Sequence, residues 1–509
     1  MKALFSVSDK NGIEEFAAGL IGCGWEIIAT GGTLNRLREA GLKITALSDY
    51  TGFPEICDGR VKTLHPKIHG GLLGRRDLAS HLAQLEENGI GLIDMVVVNL
   101  YPFEATIARK DVTLEEAVEN IDIGGPSMLR SAAKNFRDVT VVCDPADYSE
   151  VLEEVKTNGN TSLERRFRLS AKAFTHTALY DSHIAEYMRM HAGLPEKKFL
   201  NFEQIQSLRY GENPHQKAAF YRMEGDEAYS VAHAIQLWGK ELSYNNIQDA
   251  NAALAIVREF EEPFCVGLKH MNPCGAAVGK DILESWQKAY EADKVSIYGG
   301  IVAFNRQVTK DVALLLKPIF LEIVIAPDFS DDALEVLKTK KNLRLLKVKM
   351  DNSHSPARQY TGVTGGMLIQ DADRQTLEVT EEMCVAGPKP SATVLADMNF
   401  GWKIVKHVKS NAIVVVKDGA TVGVGAGQMN RVGSAGIALE QARANKVYEG
   451  LVMASDGFLP FDDTVALAAE NGVVAIVQPG GSIRDEDCLN MAREKGITMA
   501  LTGMRHFKH

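Results

Sequence analysis

Short runs of β-branched and apolar residues alternate with amphipathic stretches through the first part of the chain. Ala3 to Val7 reads as a buried strand, Asn11-Gly-Ile-Glu14 as a capping box opening a helix to about Leu20, and Glu26 to Ala29 as the next strand. Thr30-Gly-Gly-Thr33 precedes a helix from Leu34 to Ala40 and a strand from Ile44 to Leu47, and Asp94 to Asn99 and Val139 to Cys143 add two further buried strands. Strand and helix in alternation predict a parallel sheet wound by right-handed crossovers. The pattern is helical from Leu152 to Met190, and Gly193-Leu-Pro-Glu-Lys-Lys198 breaks it with turn formers and charge, which places a domain boundary between 1–197 and 198–509. Beyond it, strands at Phe264 to Leu268, Ile301 to Phe304, Ile323 to Ala326, Ile413 to Val416 and Val473 to Val477 mix with helices such as Ile247 to Phe260. This half is α/β again. Its length suits two subdomains, divided in the charged stretch Asp331 to Met350, and no internal repeat is visible by eye.

Composition narrows the class. A chain of 509 residues is roughly three times a typical domain of about 150. With 45% apolar and 24% charged residues it has no tract biased towards disorder or fibre formation. The net charge of −10 is the wrong sign for a broad polyanion-binding face, so nucleic acid is not an expected partner and an anionic ligand must be met in a local pocket. No apolar stretch approaches the roughly 20 residues that span a bilayer, and no export signal is expected. Seven cysteines without any C-x-x-C spacing read as reduced thiols in a cytoplasm, with no structural zinc.

In a doubly wound sheet, the loops at the carboxyl ends of the strands line the ligand crevice. Ser6, Ser8 and Lys10 end the first strand, Thr30, Gly31, Gly32 and Thr33 follow the second, and Asn99-Leu-Tyr101 follows the Asp94 strand. Paired glycines let a backbone approach a phosphate, and the flanking hydroxyls and lysine add donors, so a phosphate-bearing ligand is the natural reading. An ordinary tight turn with capping hydroxyls fits each loop alone equally well. Gly59-Arg-Val-Lys-Thr-Leu-His-Pro-Lys-Ile-His-Gly-Gly71 has three cations and two histidines among glycines and reads as a site loop with no element of its own. Asp122-Ile-Gly-Gly-Pro126 precedes a helix with Lys134 about two turns on, so a carboxylate, a tyrosine and two lysines could meet at one crevice.

SVSDKNG, TGGT, GRVKTLHPKIHGG, NLYPF and IDIGG, followed by RSAAKN, resemble in order and spacing the inosine monophosphate (IMP) cyclohydrolase half of the bifunctional purine-biosynthesis enzymes. The resemblance implies a methylglyoxal-synthase-like doubly wound fold over residues 1–197 and ring closure of formylated aminoimidazole carboxamide ribotide (formyl-AICAR) to IMP with loss of water. Carried over, it assigns Lys62, Tyr101, Asp122 and Lys134 to catalysis. Lys62 stabilises the formyl oxygen and the other three form a polar network that orients and deprotonates the amide, the proton acceptor remaining open. Ser6, Ser8, Lys10, Thr30 to Thr33, Arg60, Thr63, Asn99, Gly124 and Gly125 would bind the ribotide.

In the second half, Lys269-His270-Met-Asn272-Pro-Cys-Gly275 follows a buried run, and a cation beside an imidazole keeps it available as a neutral base. A His and Lys that merely cap a loop fit this motif as well. The Gly423 to Gly427 run lacks the G-x-G-x-x-G spacing and follows a hairpin signal at Asp418-Gly419, so it is not a dinucleotide site. Asn-Pro-Cys-Gly lacks the H-x-E partner and second cysteine of zinc deaminases. RYGENPHQ, LKHMNPCGAAVG, YGGIVAFN, IVIAPDF, VKSNAIV, GVGAGQMNR and SDGFLPFDD are similar, again in order, to the AICAR transformylase half of the same family. That resemblance implies two cytidine-deaminase-like α/β subdomains without metal, and formyl transfer from 10-formyltetrahydrofolate to AICAR. It casts His270 as base, Lys269 as transition-state support and Asn411 as positioner of the nucleophile. Arg209, Tyr210, Gly299, Glu322 and Arg431 would line the ribotide site, and Phe458, Asp463 and Arg505 the folate side. It also implies a homodimer. The rivals are a methylglyoxal-synthase-like phosphate lyase, which leaves LKHMNPCG unexplained, and an allosteric nucleotide-sensing module without chemistry of its own.

Overall fold

The computed structural model describes residues 1–223, 229–350 and 358–509, in two compact units, Met1–Asn201 and Phe202–His509. The first unit is built on five parallel strands: β1 (Lys2–Val7), β2 (Glu26–Ala29), β3 (Thr45–Ala46), β4 (Met95–Asn99) and β5 (Thr140–Val142), in the order β3-β2-β1-β4-β5. Ala3, Leu4, Phe5 and Met95 to Val98 are buried on both faces, which is why these strands read as continuous apolar runs. The order reverses between β1 and β4, whose carboxyl ends lie side by side, Val7 opposite Asn99. This is the doubly wound parallel sheet expected from the sequence.

Local chemistry departs from the sequence reading in five places. The first helix, Ile13–Gly22, has no side-chain cap. Gly12 enters it at φ 68°, and the Asn11 N–H donates to Asp9 Oδ1 at 3.0 Å, so a local turn replaces the capping box. The second helix starts at Gly31, not Leu34, and Leu47 opens a short helix, which leaves β3 only two residues. The segment expected to be a structureless loop contains helix Pro66–Leu73, with His65 Nδ1 accepting from the Lys67 N–H and Ile68, Gly71 and Leu72 buried. Its glycines hid it: a Cβ on Gly71 would run into the carbonyl of Gly91. Finally, the long helical stretch is two helices, Tyr148–Asn158 and Leu163–His191, parted by Gly159 at φ 74° and restarted by Ser162, which accepts from the Arg165 N–H.

The second unit carries hairpin β6 (Phe202–Leu208) and β7 (Ala218–Met223), then β8 (Ile235–Trp238), β9 (Phe264–Lys269), β10 (Asn272–Val278), β11 (Ile301–Phe304), β12 (Ile323–Ala326) and β13 (Arg344–Lys347). A separate hairpin, β14 (Arg358–Val363) and β15 (Gly366–Asp371), precedes β16 (Cys384–Ala386), β17 (Ile413–Lys417), β18 (Ala420–Gly425), β19 (Leu451–Ser455), β20 (Val473–Gln478) and β21 (Thr498–Leu501). Twelve of these form one sheet in the order β16-β21-β20-β19-β17-β18-β10-β9-β11-β12-β13-β8. Read outward from the β10–β18 seam, the two sides match strand for strand. Each is an edge strand, a helix, a hairpin and three helix–strand units, so the pair of α/β subdomains is an internal repeat that shares a continuous sheet. The repeat shows in the order of its elements and connections. The stretch Asp331 to Met350 is no linker, since it holds the last helix, Asp331–Leu337, and last strand of the first copy.

The match extends to packing. A Cβ on Gly275 of β10 would collide with the carbonyl of Ala289, and one on Gly423 of β18 with that of Ala438, each on the helix that follows its hairpin. Both glycines let a helix backbone rest directly on the sheet. Gly275→Ala and Gly423→Ala are each expected to destabilise the second unit by about 1–3 kcal/mol, the usual range for overpacking, as read from the urea midpoint. Unchanged midpoints would contradict the close approach.

Candidate functional sites

In the first unit, the switch point between β1 and β4 is knitted together by polar side chains. Asn99 Oδ1 accepts from the N–H groups of Ser8 (2.6 Å) and Asp9 (2.8 Å), and Ser8 Oγ donates to the Leu100 carbonyl at 2.7 Å. Thr33 Oγ1 both accepts from the Val7 N–H (3.0 Å) and donates to the Val7 carbonyl (3.1 Å). Lys10 Nζ donates to the Val7 carbonyl and to Thr33 Oγ1, and burial pulls its pKa down although Asp9 works the other way. Ser6, opposite Val98, precedes this knot, and the buried Thr30 starts the Gly31 helix without a capping hydrogen bond of its own. The hydroxyls therefore hold the loops in place, and the Gly31-Gly32 backbone opens onto the crevice as the first turn of that helix.

Lys62 lies over this opening: a Cβ on Gly31 or on Gly59 would sit 3.8 Å from its Nζ. Its charge acts on Asp122. Asp122 Oδ1 accepts from the Gly125 N–H at 2.8 Å at the start of helix Gly124–Lys134, and the Tyr101 N–H contributes too. Burial nevertheless raises the Asp122 pKa, the hydrogen bonds and Lys62 only partly opposing it. Thr63 packs so closely on Gly124, and Asp122 on Gly125, that a Cβ at either glycine would collide with them. Lys62, Thr63, Tyr101, Asp122, Gly124 and Gly125 are thus one cluster. Lys134, which the resemblance assigns to the same network, is the last residue of the helix that Asp122 precedes. Arg60 is exposed and ion-paired with Glu119.

In the second unit, the strand registers bring the remaining residues to one end of the sheet. Lys269 faces Asn272 across the β9–β10 turn, Ile301 lies opposite Leu268 and beside Ile323, and Ile413 lies between Gly425 and Ser455. The residues flanking these positions, Lys269, His270, Gly299, Glu322, Asn411, Arg431, Phe458 and, after β21, Arg505, therefore share that end although they span much of the unit. Lys269 Nζ donates to the Tyr298 carbonyl at 2.8 Å, next to Gly299 at φ 75°. Exposed His270 stands on a two-residue turn, tied through Asn272: its Nδ2 donates to the His270 carbonyl (3.0 Å) and its Oδ1 accepts from the Lys409 N–H (2.9 Å). Asn411 Nδ2 and N–H both donate to the Gln428 carbonyl, at 2.9 and 3.2 Å.

The buried Asp456 anchors this loop: it accepts from the Ser410 hydroxyl, from the Ala412 N–H at 3.1 Å and from Arg431 Nη1, and its carbonyl accepts from the His506 N–H at 2.9 Å. Arg431, only 6% exposed, also donates through Nε to the Phe458 carbonyl at 2.8 Å and so braces this loop from within. Glu322 is likewise engaged, paired with Arg344 at 2.6 Å. Phe458 is exposed at 39%, Arg505 lies over the Phe507 ring at 4.7 Å, and exposed Asp463 opens helix Asp463–Glu470. Arg209 and Tyr210 follow β6 in the separate hairpin, with Arg209 over the Tyr210 ring at 5.7 Å. Sequence reasoning assigned no role to Asn272, Asp456 or Gln428, because their work is to hold neighbouring backbone. Asp456 carried one signal: a charge directly after the apolar strand Leu451–Ser455, where burial demands a partner. Among the described residues no cluster of His, Cys, Asp or Glu could hold a metal ion, and no helix is long and apolar enough to cross a membrane.

Both family models and whole proteins match the chain. The family model for the AICARFT/IMPCHase bienzyme matches residues 132–441, and that for the MGS-like domain matches residues 12–127. The bifunctional purine biosynthesis proteins PurH of Bacillus cytotoxicus and Bacillus mycoides are each 57% identical to the chain, over 100% of it and 99% of their own length. The crystal structure of ForH is 41% identical over 36% of this chain and 97% of its own, with a TM-score of 0.33. The chain belongs to the AICARFT/IMPCHase bienzyme family. It is a two-activity enzyme of purine biosynthesis, a transformylase and a cyclohydrolase in one polypeptide, and neither the phosphate-lyase nor the nucleotide-sensing alternative describes it.

Lys508 offers a check on the geometry around Ser410. Its N–H donates to Ser410 Oγ at 3.0 Å, its Nζ to the His407 carbonyl at 2.9 Å, and burial, with Lys409 adding repulsion, pushes its pKa down to about 8. The folded state then sheds this proton before the unfolded chain does. Its contribution to stability is present above the ordinary lysine value of 10.5 and is lost as pH falls through about 8. Lys508→Met is expected to flatten the rise in Tm between pH 8 and 10.5 relative to the unaltered protein, and parallel curves would contradict burial of the ammonium.

Proposed function

We propose that the first unit performs cyclisation and the second formyl transfer, with 10-formyltetrahydrofolate as donor and AICAR, formyl-AICAR and IMP as the small molecules handled. The observation that carries this reading is the convergence of chemically active side chains at two separate places, the β1–β4 switch point and one end of the twelve-stranded sheet. In cyclisation, the carboxamide nitrogen of formyl-AICAR attacks its own formyl carbon, the C–N bond forms, and the former formyl oxygen leaves as water. Both reacting groups lie in one molecule, so holding them in contact supplies much of the acceleration. Lys62 stabilises the charge on that oxygen, and Asp122 is the proton acceptor. Its raised pKa supports this role, because a carboxylate in a half-dry site is a stronger base than one in water. Tyr101 orients Asp122 through its backbone N–H, while Ser6, Ser8, Lys10, Thr30 to Thr33, Arg60, Thr63, Asn99, Gly124 and Gly125 surround the ribotide and its phosphate.

In formyl transfer, the 5-amino nitrogen of AICAR attacks the formyl carbon of the folate, the bond to the folate nitrogen breaks, and tetrahydrofolate leaves with a proton. His270 takes the proton lost by the amine, Lys269 supports the developing oxyanion from beside Gly299, and Asn411 positions the nucleophile. Arg209, Tyr210, Gly299 and Glu322 contact the ribotide, Phe458, Asp463 and Arg505 the folate, and Arg431 acts through Asp456. The amine is a poor nucleophile, its lone pair delocalised into ring and carboxamide, so transfer is close to balanced and removal of its product by ring closure draws it forward. The enzyme works in the cytoplasm, in keeping with its seven free cysteines.

We further propose a homodimer. Hairpin β14–β15 stands apart from the large sheet with both faces exposed, and it presents Val363, Met367 and Leu368 at 47%, 46% and 62% exposure. An isolated two-stranded ladder is marginal in water, and a second copy of the chain would cover it. Val363→Asp with Leu368→Asp is expected to shift sedimentation from dimer to monomer. A native dimer that survives the change would place the interface elsewhere.

The two sites predict separable losses in a turnover assay with AICAR and 10-formyltetrahydrofolate that follows IMP. Lys62→Ala is expected to abolish conversion of supplied formyl-AICAR and leave formyl transfer intact, and His270→Ala to do the reverse. Loss of both activities from either single change would sink the two-site assignment.

A further inference from the structure

In each copy of the repeat, an aspartate on the helix that precedes the hairpin grips the backbone of the hairpin turn. In the second copy, Asp397 of helix Ala392–Val405 accepts from the N–H groups of Asp418 (2.9 Å) and Gly419 (2.7 Å). In the first, Asp249 of helix Tyr244–Val257 accepts from the Met271 N–H at 2.8 Å, and the His270 N–H contributes as well. The correspondence is positional. Both helices are capped by a serine, Ser243 or Ser391, with the aspartate six residues on and an asparagine two beyond it, Asn251 or Asn399. Both turns link strand ends paired in register, Lys269 with Asn272 and Lys417 with Ala420.

The turns differ in what they ask of their residues. Each holds both central residues at positive φ, 52° and 70° at Asp418-Gly419, 53° and 61° at His270-Met271. Tight hairpin turns of this hand favour Asn or Asp followed by Gly, and the second copy has that pair. His and Met in the same conformation are strained, the methionine most plainly, since it offers no short polar group to offset the crowding. A strained turn persists only where its surroundings over-determine it, and here the His270 carbonyl is also held, by Asn272 Nδ2 at 3.0 Å.

We propose that Asp249 is a positioning residue for formyl transfer: its carboxylate fixes His270 and Met271 in a left-handed turn they would otherwise leave, and so sets where the imidazole stands beside Lys269. The proposal rests on the reading of His270 as the base. A device that is structural in one copy has become, in the other, the support of a reactive side chain. Burial raises the pKa of both aspartates, as expected of carboxyls withdrawn from water to face backbone N–H groups.

The test compares kcat and KM for formyl transfer, together with Tm, in Asp249→Asn, Asp397→Asn, Met271→Gly and the double variant Asp249→Asn/Met271→Gly. An amide keeps the size but turns one acceptor into a donor that faces an N–H. Asp249→Asn is expected to lower kcat by about tenfold or more with KM for AICAR changed by less than about threefold, and to leave cyclisation of supplied formyl-AICAR untouched. Glycine at 271 removes the strain, so the double variant should recover to within about threefold of Met271→Gly alone. Asp397→Asn should lower Tm and leave kcat as it was. A kcat for Asp249→Asn within about twofold of the unaltered enzyme, no recovery in the double variant, or an equal kcat loss from Asp397→Asn would each overturn the proposal. Should Asp249→Asn fail to fold, the double variant decides alone: folded and active supports the clamp, unfolded or inactive overturns it. His270→Ala separates the two readings. If it retains transfer, the assignment of the base fails, and if it is dead while Asp249→Asn is active, only the clamp fails.

Discussion

The second unit depends on one antiparallel seam, β10 against β18, where two copies of an α/β repeat meet edge to edge. Thr421 sits in it fully buried, its hydroxyl accepting from the Ala276 N–H at 2.9 Å and turning back to the Ala276 carbonyl at 3.4 Å. Each copy alone would leave an unpaired strand there, and joining them removes both open edges at once. Because the paired strands run in opposite directions, the seam also decides which termini become neighbours. The turn after β9 in the first copy comes to the same side as the start of β17 and the ends of β18 and β19 in the second. Lys269 and His270 therefore belong to one copy, Asn411 and Asp456 to the other. The parallel strands of the first unit produce the same convergence by a different route, the reversal of strand order between β1 and β4.

What could be read from the chain beforehand follows from these constraints. Buried strands announce themselves, since a sheet covered on both faces must be apolar throughout, as in Met95 to Val98 or Ile413 to Val416. The glycine and hydroxyl loops after β1, β2 and β4 were legible for a related reason: little else tolerates that combination of tight backbone and polar side chain. Helix Pro66–Leu73 was not, because two glycines chosen for close packing mask its periodicity. The repeat was hidden more deeply. Its equivalences are scattered single positions, such as Gly275 and Gly423 under helix carbonyls or Asp249 and Asp397 under hairpin turns, that no composition pattern exposes.

The site residues divide along the same line. Charged and imidazole side chains in polar loops, as at Lys62, Asp122, Lys269 and His270, stand out from the sequence. Support that requires only an acceptor in the right place does not. Arg431 shows a partner that the sequence did not announce: the fully buried Asp456 behind it holds the guanidinium. A buried carboxylate left without that partner would be costly.

A doubled fold with twofold character has two equivalent rims, and the proposed transfer site uses only one of them. The rim around Asp418 and Gly419 keeps the scaffold of its counterpart, including a helix carboxylate under the turn, but carries an aspartate and a glycine where the other displays an imidazole. Under the proposed assignment no substrate calls on that rim, and its residues answer only to folding. Drift, insertion or a tether to another protein can therefore accumulate on that rim while the opposite one stays constrained.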